Sequence, residues 1–231
     1  MPFYFDYYYI ILIIPALLIS LWAQTKVNGT FNKYSKVFAS RGYTASQIAR
    51  YILDANGLSN VTVERVSGNL TDHFDPKTNV VRLSDSVFNS TSVAAIGVAA
   101  HETGHAIQHA VGYAPIKLRM AIIPITQIGS KLAMPLILLG LLFSFQPIIT
   151  VGILFFATAT VFQLVTLPVE FNASNRALKI LEERDYLYGE ELVGAKKTLS
   201  AAAMTYVAAL IVSVMQLLRL ILLFGNRNRR D

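Results

Sequence analysis

Two apolar runs, residues 121–143 and 148–167, stand back to back with only Ser144-Phe145-Gln146-Pro147 between them. Each is long enough to cross a bilayer as a helix, and a charge-free link that short suits a tight return. A helix that is apolar all round needs lipid or a very large core around it, and a chain of 231 residues has little core to spare. Residues 7–23 and 201–224 form two further apolar runs. The balance agrees: 54% hydrophobic and 15% charged residues, where soluble domains carry about 25% charged. Mean hydropathy is +0.48. The chain reads as an α-helical membrane protein with three to four transmembrane helices.

The run at 7–23 competes with a secretory signal peptide. Asp6 precedes it, no Lys or Arg does, and no small-x-small cleavage site follows, so it is expected to stay as an anchor. Aromatic residues at 3–9 and Trp22 at the far end mark the two interfaces. Polar, mixed sequence then fills 24–119 and again 168–200, and the chain ends in a basic tail at 225–231. Within the first polar part, residues 33–38 and 44–56 are predicted as helices. Thr44 caps the second, Gln47 completes a capping box and Gly57 stops it. Residues 61–66 alternate and are rich in branched side chains, which predicts a strand. Residues 70–74 and 80–83 flank a turn-rich Asp75-Pro76-Lys77-Thr78-Asn79 and predict a hairpin. Pro168 suits the first turn of a new helix. Pro124 and Pro135 are expected to kink the run at 121–143. Lys131 in that run either faces a bundle interior or snorkels to the interface.

Residues 101–105 read His-Glu-Thr-Gly-His, inside an Ala-rich, Pro-free helix expected at about 92–112 with Ser90, Thr91 and Ser92 able to cap it. Positions four apart share a helix face, so His101 and His105 can turn ring nitrogens toward one ion. Glu102 sits one step around the turn, where it can take a proton from water. This is the H-E-x-x-H pattern of zinc hydrolases. The small residues Thr103, Gly104 and Ala106 leave room for a ligand close to the helix backbone. The chain has no cysteine, so His, Asp and Glu are the strong zinc ligands available.

A catalytic zinc needs a third protein ligand. His109 lies two turns beyond His101, about 12 Å along a helix at 1.5 Å per residue, too far to share the ion; a structural or interfacial place suits it. That leaves a carboxylate or His73. The two central crossings return the chain to the side they left, just before Glu170. Glu170 stands between Val169 and Phe171, an awkward place for a solvated acid. A metal would explain it, as would a first-turn acid favoured by the helix dipole.

Three stretches together carry a resemblance over essentially the whole chain: the Ala-rich helix through His105, Pro168-Val169-Glu170-Phe171-Asn172-Ala173-Ser174, and Leu70-Thr71-Asp72-His73-Phe74-Asp75-Pro76. They resemble the bacterial YugP-like neutral zinc metallopeptidases and, more distantly, the HtpX-type membrane metalloproteases. The resemblance implies a small α+β zincin-like catalytic domain of the Glu-ligand type (gluzincin), with Zn2+ held by His101, His105 and Glu170 and with Glu102 as general base. In the distant relatives an Asp follows the Glu ligand by four residues and steadies a ligand histidine. Here that position is Ser174, which leaves Asn172, Ser174 or Asn175 for the task. In such folds an extended substrate pairs with a strand upstream of the zinc helix. The segment at 72–75 occupies that place, so His73 is either an oxyanion donor or a turn-lining residue. Tyr206 is a further candidate donor, or an interfacial tyrosine.

The expected partners are a peptide or protein substrate, membrane proteins included, and lipid. The net charge of +6 sits in particular loops and is read as topology, with no nucleic acid expected. Lys26, Lys33, Lys36, Arg41, Lys117 and Arg119 lie before the second crossing, and Arg176, Lys179, Arg184, Lys196 and Lys197 after the third. The positive-inside rule puts both segments, and with them the catalytic domain of a multi-pass cell-membrane protein, in the cytoplasm. Arg219 inside the last run, with Arg227, Arg229 and Arg230 after it, conflicts with a plain fourth crossing, so 201–224 reads as transmembrane or interfacial. The leading reading is a membrane zinc endopeptidase. Its rivals are an intramembrane-cleaving protease and a scaffold or binding protein with a non-catalytic zinc site. Substrate and oligomeric state are not legible.

Overall fold

The computed structural model describes residues 6–225. The aromatic residues at 3–5 and the tail arginines Arg227, Arg229 and Arg230 lie outside them. The elements run as a π-helical turn Tyr9–Ile13, α1 Ile14–Tyr34, α2 Ala45–Ala55, β1 Thr62–Val66, β2 His73–Asp75, β3 Val80–Ser84, α3 Val93–Ala110, α4 Ala114–Leu142, α5 Gln146–Glu183 and α6 Glu190–Phe224. The chain is mostly helical, and among the described residues four helices are long and apolar enough to cross a membrane. It divides into two compact units.

One unit takes the chain up to Ala23, then Leu118–Leu167 and Thr205 onward. Leucines at 17, 18, 21, 138, 139, 154 and 164 of its helices are exposed. That is costly in water and natural against lipid. Small residues bring α4 and α5 together. A β-carbon at Gly152 would stand 2.9 Å from the Ala133 carbonyl oxygen, and one at Gly129 would stand 2.9 Å from that of Phe155. Around them Ile137, Ile149, Ile153, Leu220 and Phe224 form a buried cluster. Polar ties fix the order of the helix ends. Arg219 donates from Nε to Asp6 at 3.0 Å and stacks over Tyr9. Gln146 donates to the Phe224 carbonyl at 2.6 Å, and the hydroxyls of Thr160 and Ser213 lie 2.8 Å apart. The start of the first helix and the start of α5 therefore meet the end of α6, which runs against both. Arg219 is buried at 3% exposure with its charge met by Asp6, which answers the cost of an arginine inside 201–224. Lys131 is exposed and does not face an interior.

The other unit takes Gln24–Lys117 and Pro168–Met204. Its sheet has the order β1-β3-β2, with β1 parallel and β2 antiparallel to β3. The hairpin was expected; the parallel crossover of β1 was not. In β3, Val81 and Leu83 face a core shared with Ile48, Ile52, Ile96, Ala99, Ala100 and Leu181. The expected capping box is present: Thr44 accepts from the Gln47 amide while the Gln47 side chain accepts from the Thr44 amide. Ser92 caps α3 through Ala95.

Three expected boundaries move. The helix predicted at 33–38 does not exist separately, because α1 continues to Tyr34 and Phe38 pairs in an isolated bridge with Ser92. With no proline between 24 and 34, extending a formed helix is cheaper than starting another. Pro168 starts nothing: it lies inside α5, where it removes only the helical donor to the Leu164 carbonyl. Flanking turns that remain hydrogen-bonded carry the helix through. The last helix begins at Glu190 rather than 201, with Glu190 and Glu191 in a first turn whose exposed amides favour acids.

Candidate metal centre

α3 is buried along most of its length, and its small residues decide how closely α5 approaches. A β-carbon at Gly104 would stand 2.7 Å from the Ala173 carbonyl oxygen. The room that Gly104 leaves is thus filled by α5 and not by a ligand, as the sequence had suggested. This contact brings Glu170, one turn before Ser174 on α5, up to the paired histidines.

His101 Nε2 lies 3.3 Å and His105 Nε2 3.5 Å from Glu170 Oε2, and the two Nε2 atoms are 3.1 Å apart. An ion with ligand bonds of about 2.0–2.1 Å and tetrahedral angles spaces its ligand atoms about 3.3 Å apart. The three observed separations bracket that value. Among the described residues this is the group of His, Asp and Glu side chains that could hold a metal ion. The donor set of two imidazoles and one carboxylate also fits zinc.

Both Nδ1 atoms are occupied. His101 Nδ1 is 3.0 Å from the Ser174 hydroxyl and His105 Nδ1 is 3.0 Å from Gln108 Oε1. Ser174 was one of three residues expected to steady a histidine. Asn172 acts one step back, donated to by Gln108, and Asn175 has no such contact. Gln108 was missed; the signal available was a polar side chain three residues after His105, on the inner face of an otherwise small and apolar helix.

Glu102 is buried at 8% exposure beside this cluster. Burial pushes its carboxyl above the usual range, the nearby Glu170 and Asp72 push the same way, and the histidines pull against them. Asp72 is held by the Ser84 amide at 2.7 Å and the Ser84 hydroxyl at 2.9 Å, and burial raises it too. At His105 burial opposes the charged form, but Glu170 and Glu102 outweigh it, so the imidazole of the metal-free protein is more basic than usual.

His73 is not brought into the cluster. It is exposed on β2, the edge strand, with Nδ1 2.9 Å from the Thr71 carbonyl. Its neighbour Phe74 packs on His109 of α3, with ring centres 5.9 Å apart. Alternation puts His73 on the opposite face, across from Arg82. His109 thus has the packing place expected of it. Tyr206 is half-buried within α6.

The sequence pattern of the family described as "Putative neutral zinc metallopeptidase" matches residues 9–225. The chain belongs to this family. It is 50% identical over 218 residues to the Bacillus subtilis (strain 168) protein called "Putative membrane protease YugP", covering 94% of this chain and 97% of that one. No solved structure matches. Family membership and the four apolar helices make this a membrane protein of a zinc peptidase family, and the His-His-Glu cluster is the group in it that fits a zinc ion.

Proposed function

We propose that the protein is an integral-membrane zinc endopeptidase, with His101, His105 and Glu170 as zinc ligands and Glu102 as general base. The observation that carries the reading is the spacing of the three ligand atoms, 3.1 to 3.5 Å, beside a buried fourth acid. Zinc in such a site would polarise a peptide carbonyl and make water a nucleophile near neutral pH. The protein's own work is then proton transfer. Glu102 takes the proton from the attacking water and returns it to the leaving amine. The His73 imidazole, on the far face of its strand, is left out of this reaction.

The same reading puts four helices across the membrane. The Asp6–Arg219 pair supports α6 as the fourth, and the lysines and arginines of 24–119 and 168–200 support a cytoplasmic catalytic unit. A tag after residue 231 would then be digested from outside the cell. A peptide or protein is the substrate class, membrane proteins included. Intramembrane cleavage is disfavoured because α3, which carries both histidines, is not among the four membrane-length helices, and Glu170 lies in the part of α5 that belongs to the same unit as α3.

The test compares wild type with Glu102→Gln in membranes, reading new protein termini and bound zinc. Loss of termini by about 100-fold or more with zinc retained supports the reading. Zinc bound by both, with no chelator-sensitive cleavage by either, would instead establish a non-catalytic site.

A further inference from the structure

Gln108 is completely buried, and every polar atom of its side chain is engaged. Nε2 lies 2.8 Å from the Val169 carbonyl oxygen and 3.0 Å from Asn172 Oδ1, while Oε1 lies 3.0 Å from His105 Nδ1. A backbone carbonyl only accepts, so the amide edge facing Val169 must be the NH2 group. Asn172 is oriented independently. Arg176 donates from Nε to Asn172 Oδ1 at 2.8 Å, and a guanidinium only donates, so that atom is oxygen. Arg176 is itself placed over the Tyr113 ring, 6.0 Å from its centre.

Two acceptors thus fix the amide of Gln108, and its oxygen is left facing His105. An oxygen there needs a donor, so Nδ1 of His105 carries a hydrogen, and in the neutral ring Nε2 is the nitrogen left with a lone pair. His101 is held differently. Its Nδ1 meets the Ser174 hydroxyl, which can donate or accept and so imposes no tautomer.

We infer that Arg176, Asn172 and Gln108 form a positioning chain that holds the Nδ1–H of His105 and so fixes Nε2 as the atom this ring offers to a metal ion. The inference rests on the zinc reading above, but the hydrogen on Nδ1 can be read without it. None of the three residues touches substrate or ion. Each acts through the next.

The experiment uses full-length protein in detergent and two readouts. The first is the 15N spectrum of the histidine rings without metal, followed upward in pH until the His105 ring is neutral, with His105 assigned by comparison with His105→Gln. The expected result is Nδ1–H in wild type and a mixture of tautomers in Gln108→Leu. The second is zinc affinity by chelator competition. Gln108→Leu is expected to lose about 10- to 100-fold. Asn172→Leu should lose about tenfold, whereas Asn172→Asp, which keeps an acceptor for both Gln108 and Arg176, should stay within about threefold. A wild-type His105 protonated on Nε2 overturns the inference, as does equal affinity across the Asn172 pair. If Gln108→Leu fails to fold, the Asn172 pair decides. If wild type binds no zinc, the zinc reading falls, and the ring spectrum still decides the tautomer.

Discussion

At Gly104 a single methyl group decides how closely α5 can approach the paired histidines. The β-carbon of Gly104→Ala would press on the Ala173 carbonyl, a backbone atom that can yield only if α5 moves. The expected cost is about 1–3 kcal/mol of stability in the unit that holds the site. Zinc affinity should fall with it, since Glu170 rides on α5; thermal unfolding with and without zinc reads both. Glu102→Gln should leave folding and zinc content intact while lowering turnover by about 100-fold or more. His73→Ala, by contrast, is expected to cost turnover far less than the roughly hundredfold that losing an oxyanion donor costs, because the strand turns it away from α3. The histidine pair was legible because helical spacing is a strict rule. Glu170 was legible because a lone acid between Val169 and Phe171 needs a reason. Gln108 was not, since its meaning depends on Val169 and Asn172, 61 and 64 residues away.

Among the elements, the clearest local signals were legible, and the continuity that depends on distant neighbours was not. The capping box of α2 and the β2–β3 hairpin are local. The continuity of α5 through Pro168 is not: proline reads as a boundary by propensity, but the apolar turns before it and the packed turns after it outweigh one lost hydrogen bond. The hairpin carries its own pH dependence. Asp75 accepts from the Thr78 hydroxyl at 2.7 Å, from Arg82 at 3.0 Å and from the Lys77 amide at 2.9 Å, in that order of influence, which holds its carboxyl well below the usual range. A depressed folded-state pKa adds stability above the unfolded value of about 3.9 and loses it as pH falls toward the folded one. Asp75→Ala should therefore lower the melting temperature at about pH 7 and differ progressively less from wild type below about pH 4.

For the molecule as a whole, the apolar runs announced a membrane protein, yet the fourth stood between crossing and interface because of Arg219 inside it and Arg227, Arg229 and Arg230 after it. The partner that meets the Arg219 charge, Asp6, lies 213 residues away in sequence. Asp6→Asn should remove the carboxylate that faces the buried guanidinium and lower the melting temperature of the helical bundle, whereas Asp6→Asn combined with Arg219→Leu should recover much of that loss. Melting of the detergent-solubilised protein followed by circular dichroism separates the two outcomes. Equal melting of wild type and Asp6→Asn would show the pair contributes nothing.

That same distance sets an order of events at birth. With ribosomes adding about 5–20 residues per second, the acid near the amino end reaches the lipid boundary tens of seconds before the arginine that neutralises it has been made. Until then the Asp6–Arg219 pair cannot form, so this tie between the two ends of the bundle is among the last to be made.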